Sequence, residues 1–244
     1  MRSRSSFCRE LRRLLISGAT VALLAAGCSP DMAKSGDPSP KQILDRMAKA
    51  YAECKSYRDS GVVKTVFVEK TGNRTVEKPF TTAFVRSDRF RFEYKEKRGN
   101  QQSRYIIWSN GKEVLTWWDV KPGIEKPKSL WLASAGAAGV SSGSANRIPA
   151  LLLPGEVWGS PTVITDAKRA EDGKLDKVEC FRVEGIYGNT PITLWIDKQS
   201  YLLRRIDQQM KFANFRTEET TTYDPTINEK ITDKMLEFDP PVQK

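Results

Sequence analysis

From residue 40 onward the apolar positions recur first at helical and then at strand spacing. Ser39-Pro40-Lys41-Gln42 opens the helical stretch: Ser39 can cap it, Pro40 suits the first helical position, and Gln42 completes a capping box. Ile43, Met47, Tyr51 and Cys54 then fall on one stripe, with Leu44 and Ala48 beside it, while Lys41, Asp45, Arg46, Lys49 and Glu53 lie largely elsewhere. This predicts an amphipathic helix whose stripe packs on the rest of the domain. Beyond it the period becomes two. Segments 61–70, 76–86, 89–97, 103–109 and 113–120 are β-branched or aromatic and are separated by turn signals such as Thr71-Gly72-Asn73 and Asn110-Gly111. Asn110-Gly111 predicts a two-residue hairpin turn. Alternation is clearest in RFRFEYKEK, where Phe90, Phe92 and Tyr94 share one face and Arg89, Arg91, Glu93 and Lys95 the other. After Pro161 the pattern resumes through VECFRVEGIY, PITLWID, YLLRRIDQQM and a Thr-rich run ending at Tyr223. A leading helix followed by many short antiparallel strands predicts a large curved sheet or open barrel.

Residues 129–155, SLWLASAGAAGVSSGSANRIPALLLPG, break the alternation. They hold small residues and two apolar clusters, Leu130-Trp131-Leu132 and Leu151-Leu152-Leu153, and read as short helices joined by a loose Gly/Ser stretch. They either plug one mouth of the sheet as core or form a movable lid, for which Gly136, Gly139 and Gly143 permit hinge motion.

The N-terminus changes the picture. Arg-rich MRSRSSFCRELRR precedes the apolar run 14–26, a pattern of positive n-region, short apolar core and small terminal residues that marks a secretory signal. The run is shorter than the ~20 residues of a membrane-spanning helix. Leu24-Ala25-Ala26-Gly27-Cys28 resembles a bacterial lipobox, in which Cys28 would carry acyl chains such as palmitate and become the mature N-terminus. The chain then divides into a signal peptide 1–27, a lipid-anchored flexible tether 28–39 rich in Pro, Ser and Asp, and a folded domain 40–244. Several acyl chains on one residue give stable membrane anchoring. Ser29 after the cysteine points to the periplasmic face of the outer membrane.

The formal net charge is +10, and removal of the signal leaves +6. Charges mostly alternate with apolar residues, and no Lys/Arg block is dense enough to favour nucleic acid. There is no histidine, which excludes His-based triads and His metal sites; no GxxxxGK[ST] or GxGxxG motif occurs, and no metal or cofactor is expected. Glu218-Glu219 and Asp197 are candidate carboxylates for a hydrolase, but neighbours on a strand point to opposite faces, so catalysis is not expected. Beyond the anchor, Cys54 and Cys180 are the remaining thiols of a secreted domain, since Cys8 lies in the signal. A Cys54–Cys180 disulfide is expected, the alternative being two unrelated buried thiols.

FVRSDRFRFEY, YIIWSNGKEVLTWW and LEFDPP, together with TLWIDKQSYLLRRID, resemble the lipoprotein carrier and receptor family LolA/LolB, and the resemblance spans residues 40–241. The N-terminal domain of the envelope-stress regulator RseB resembles the same fold. The resemblance implies an α+β, mainly antiparallel half-open barrel of about ten or eleven strands, with an N-terminal helix and a short-helix lid over the concave face. It implies an apolar cavity for an acyl chain, with Phe90 and Phe92 at aromatic lining positions and a lid latch at Arg86; Tyr94, on the same strand face, and Trp131, Leu132, Leu151 and Leu152 of the two apolar clusters are expected to complete the lining. The expected function is a non-enzymatic, membrane-anchored extracytoplasmic lipoprotein that binds a lipid or lipoprotein acyl chain. The alternative is an envelope sensor or scaffold binding a protein partner through the same fold.

Overall fold

In the computed structural model, residues 36–87, 89–98 and 101–241 are described. Cys28, the signal segment and most of the tether lie outside the described residues. Among the described residues no helix is long and apolar enough to cross a membrane. Asp37–Lys244 forms a compact unit with its own core.

The first helix, α1 (Pro40–Glu53), begins as the sequence predicts. The Ser39 hydroxyl accepts from Gln42 N, and the Gln42 side chain accepts from Ser39 N at 2.8 Å. Its buried residues are Ile43, Leu44, Met47 and Tyr51. The strands that follow are β1 (Ser56–Glu69), β2 (Gly72–Val85), β3 (Arg89–Arg98), β4 (Gln101–Asn110), β5 (Val114–Trp118) and β6 (Lys121–Glu125). Helices α2 (Leu130–Ala138) and α3 (Ser144–Leu152) interrupt them. The sheet then continues as β7 (Thr165–Leu175), β8 (Val178–Tyr187), β9 (Thr190–Asp197), β10 (Leu203–Lys211), β11 (Phe215–Tyr223) and the two-residue β12 (Thr226–Ile227).

All twelve strands belong to one antiparallel sheet in the order β6-β5-β4-β3-β2-β1-β11-β10-β9-β8-β7, with β12 beside β1. Strands β1 to β6 pair in sequence order, as do β7 to β11, and the β1–β11 pair joins the two halves. The end strands β6 and β7 do not pair, so the barrel is half open. Strands β6 and β7 were not legible by alternation, because β6 is exposed throughout and β7 is polar with two register shifts. The Asn110-Gly111 turn is longer than a two-residue hairpin. Residues 111–113 separate β4 from β5, and the Asn110 carboxamide accepts from Lys112 N at 2.9 Å and Glu113 N at 3.0 Å, with Gly111 at φ 84°.

The register assigns the faces. Phe84 pairs with Phe90, Thr82 with Phe92 and Phe80 with Tyr94, so these side chains point to the concave side. The convex side of β3 and β4 carries the charges. Glu93 accepts from Arg104 at 2.7 Å and from Arg91 at 2.5 Å, and these bonds outweigh its burial and hold the carboxyl below the usual range. The C-terminal segment straps this face through Trp108 Nε1 to Leu236 O (2.7 Å), Arg91 Nε to Glu237 O (2.8 Å) and Arg104 to Asp239.

The expected Cys54–Cys180 disulfide is absent: both thiols are buried and free. The strand period explains why. Phe181 and Val183 face the core, so Cys180 faces the convex side, where it pairs in register with Asp197. Cys54 ends α1 on the concave side, its thiol 3.1 Å from Tyr51 O. The sheet stands between them. Burial pushes the Cys180 thiol up to about 11, and the nearby Asp197 carboxylate adds to this, so it is a poor thiolate. Thiol titration of residues 37–244, denatured without reductant, should therefore give two free thiols per chain. A value near zero would reinstate the bridge.

Candidate functional site

The concave face is built from aromatic side chains that strand alternation aims inward. Tyr57, Phe84, Phe90, Phe92 and Tyr94 are all fully buried. Phe80 lies 6.1 Å from Phe92 and meets Tyr223 edge-on at 5.6 Å; Tyr94 stacks on Tyr105 at 6.0 Å, and Tyr105 meets Trp118 at 5.7 Å. These rings make a continuous wall across β2 to β5.

Three helices cover that wall. From α1 come Ile43, Met47 and Tyr51, and from α3 come Ile148, Leu151 and Leu152. From α2 come only Leu130 and the small Ala133, Ser134 and Ala137. Phe90, Phe92, Tyr94, Leu151 and Leu152, expected around a cavity, thus do meet in one cluster. Trp131 and Leu132 do not: they are 47% and 45% exposed. They fall on the outward side of α2, and Trp131 lies in an outer recess beside Lys112, Lys126 and Lys128. Helix α2 is therefore apolar on both sides, unusual for a surface helix, which ordinarily keeps its apolar residues on one stripe.

The helices are fastened differently. Tyr51 Oη accepts from Leu203 N at 3.0 Å, and Arg46 donates to Tyr201 Oη at 2.6 Å, so α1 is fixed to β10 and to the turn before it. Arg86, just beyond β2, donates to three backbone carbonyls: Cys54 O (2.9 Å), Tyr51 O (3.1 Å) and Leu152 O (3.2 Å). It thereby satisfies carbonyls at the C-termini of α1 and α3 at once, with the sign that a helix C-terminus favours. Its guanidinium also lies 5.0 Å from the Phe84 ring. Lys78 Nζ holds the α2–α3 connection through Val140 O at 2.8 Å and Ser142 Oγ at 3.3 Å.

A polar strip crosses the other part of the concavity. Arg147 of α3 lies over the Tyr187 ring at 3.9 Å and donates to Gln208 Oε1 at 3.2 Å; Gln208 donates to Glu219, whose second oxygen accepts from Thr65 at 2.8 Å. Glu219 is buried, while its neighbour Glu218 is half exposed and paired with Arg216, as strand alternation requires. Asp59 is 7% exposed and accepts from Tyr57 Oη at 2.8 Å. Burial raises its carboxyl to about 7, against the hydrogen bond from Tyr57. Lys78, Asp59, Arg147 and Gln208 escaped the sequence reading. Strand spacing could have found Asp59, since it lies two residues from Tyr57 and Gly61 on one face, but β1 begins five residues before the expected start.

A recess opens at the β5–β6 end. A cavity of about 220 Å³ is lined by Tyr105, Thr116, Trp118, Lys121, Gly123, Glu125 and Gly136. That is below the roughly 300–1,000 Å³ of ordinary ligand sites. Among the described residues no cluster of His, Cys, Asp and Glu has the geometry of a metal site.

The architecture defines a class: an open antiparallel half-barrel whose aromatic concave face is covered by helices. No family model matches the chain, and no curated protein matches it. Solved structures do. LprF from Mycobacterium bovis aligns over 79% of this chain and 94% of its own, at 13% identity and TM-score 0.42. A LolA superfamily protein from Nitrosomonas europaea aligns over 83% of this chain and 99% of its own, at 9% identity and TM-score 0.34. MucB, solved in complex with MucA(peri), aligns over 81% of this chain and 58% of its own, at 10% identity and TM-score 0.42.

The Asp59 carboxyl makes stability depend on pH. Its folded-state pKa is raised, so the folded state binds the proton more tightly than the unfolded chain. Its stabilisation is complete below pH 4 and is lost as pH rises through about 7. In residues 37–244, Asp59→Asn should flatten the fall in stability between pH 4 and 7, measured by urea denaturation, and leave the variant more stable than wild type at pH 8. An unchanged pH slope would remove Asp59 from this role.

Proposed function

We propose that the concave face is a binding site for an acyl chain, opened by movement of α2 and α3 and closed by Arg86, in a non-enzymatic lipoprotein anchored through Cys28 and facing the periplasm. The observation that carries this reading is the fastening of α3 by Arg86. An aromatic wall large enough for an apolar chain is covered by helices, two of which are held at identifiable polar points. Rim bonds of this kind open without disturbing the sheet. In the closed state the helices occupy the concavity, and the recess at the β5–β6 end, about 220 Å³, is smaller than an ordinary ligand site. Binding then exchanges lid side chains for ligand methylenes, each worth about 0.8 kcal/mol when removed from water. Helix α2, apolar on both sides, keeps an apolar face toward the chain in either position.

No catalytic group is required for such exchange, and the carboxylates considered above lie apart. A lipid or acylated peptide is the expected ligand, and the membrane the expected neighbour.

Two experiments test the proposal. Replacing Arg86 by Ala removes three charge-assisted bonds at a partly exposed site, with an expected cost of about 1–3 kcal/mol. Hydrogen exchange of residues 130–152 should rise more than that of β1–β4; uniform acceleration would make Arg86 a general structural residue. Gly136→Trp should fill the recess at the β5–β6 end, since a Cβ there meets only Tyr105 Oη, at 3.8 Å. Native mass spectrometry of residues 37–244 secreted to a bacterial periplasm, with and without added phospholipid, should show lipid adducts for wild type and their loss in Gly136→Trp. A bare wild-type mass after lipid incubation would sink the cavity assignment and favour a protein-binding role.

A further inference from the structure

The sheet ends in two adjacent hairpin tips that core packing does not explain. Residues 70–71 join β1 to β2, and residues 212–214 join β10 to β11. They are neighbours because β1 pairs with β11, with Glu69 opposite Phe215 and Val68 opposite Arg216. Phe212 stacks on Phe215 with ring centroids 4.4 Å apart and planes 14° off parallel, and Phe215 lies 6.2 Å from Phe67. Phe212 is nevertheless 49% exposed. The Arg74 guanidinium covers the Phe67 ring at 3.9 Å. A groove of about 390 Å³ runs between the tips, and Lys70, Lys211 and Arg216 stand along it.

A hairpin that only has to reverse direction uses Asn-Gly or a similar pair. Here Phe212-Ala213-Asn214 places an aromatic ring in solvent at the turn itself. Strand alternation places Phe67, Arg74 and Phe215 on the concave-facing side, so the aromatic tip is also the rim of the concavity. Cations outnumber acids: Lys70, Arg74, Lys211 and Arg216 are exposed, against Glu69 and the Glu218 that pairs with Arg216 at 3.1 Å. Aromatic side chains ringed by Lys and Arg match the interface of an anionic bilayer, where rings enter the headgroup layer and cations meet lipid phosphates.

We infer that the paired tips dock on an anionic lipid bilayer, with Phe212 entering the headgroup region and Lys70, Arg74 and Lys211 contacting phosphates. This docking is separate from the covalent anchor and from ligand uptake, and it stands whether or not the concavity takes an acyl chain. It turns one end of the concave rim toward the membrane surface.

The test uses residues 37–244, which lack the signal segment and Cys28, in cosedimentation with phosphatidylcholine vesicles with and without a quarter phosphatidylglycerol. Wild type should bind the mixed vesicles at least about tenfold more tightly than the neutral ones, each cation contributing about fivefold. That preference should collapse in 0.5 M salt, where screening reaches only about 4 Å. Phe212→Ser should weaken binding at least about fivefold with an unchanged circular dichroism spectrum, and Lys70→Glu with Lys211→Glu should abolish the preference for anionic lipid. Absence of vesicle binding by wild type overturns the inference, as does wild-type binding by Phe212→Ser, which would place docking elsewhere. A stoichiometric complex with an envelope protein that depends on Phe212, without vesicle binding, overturns it in favour of a protein partner.

Discussion

An antiparallel sheet that curls without closing must hide one face from water by some other means. Here that face is aromatic, and burying rings such as Phe84, Phe90 and Phe92 is worth about 1.5–3 kcal/mol each. Every other feature of the domain answers to that constraint. Helix α1 contributes an amphipathic stripe because one side of it always faces the wall. Helices α2 and α3 finish the cover. The C-terminal strap and the Glu93–Arg91–Arg104–Asp239 network hold the convex side of the same strands, so the curvature is supported from both faces.

The cover is unequal in strength, and the inequality has functional content. Helix α1 is tied by Tyr51 to the β10 backbone and by Arg46 to Tyr201, while Arg86 ties α3 to the α1 terminus. Because α2 contributes mostly Ala and Ser to the interior, its displacement exposes less apolar side chain than displacement of α1 would. The concavity is also divided. One part is aromatic; the other carries Asp59 and the hydrogen-bonded Arg147–Gln208–Glu219–Thr65 chain, with Asp59 Oδ1 and Arg147 Nη1 buried and without a hydrogen-bond partner among the described residues. The concavity thus presents apolar rings on one side and hydrogen-bonding groups on the other. The rim at Phe212 and Phe215 extends the aromatic character of the sheet to solvent.

Much of the architecture was legible because local periodicity is a local property. The Ser39 capping box, the Ile43–Met47–Tyr51 stripe and the Phe90–Phe92–Tyr94 face follow from side-chain spacing, and the short helices within residues 129–155 from composition and the loss of alternation there. Where spacing is not the deciding quantity, the reading failed. Trp131 and Leu132 were grouped with Leu151 and Leu152 by hydropathy alone, yet an apolar helix says nothing about which of its sides faces inward. Strands β6 and β7 are too polar to show alternation, since sheet edges need no buried face.

The sequence by itself determined the helix start, the inward faces of the aromatic strands, and the position of Arg86 at the end of one of them. Only the tertiary structure decided what those groups meet. Arg86 reaches two helix termini that lie 32 and 66 residues away in the chain, and no local pattern encodes that convergence. Cys54 and Cys180 are both buried, which the sequence allowed, but the sheet separates them, which it did not reveal. The polar route from α3 to β1 and the junction of two hairpin tips into one aromatic rim arise from the β1–β11 pairing. That contact joins the halves of the chain, and side-chain periodicity within either half carries no record of it.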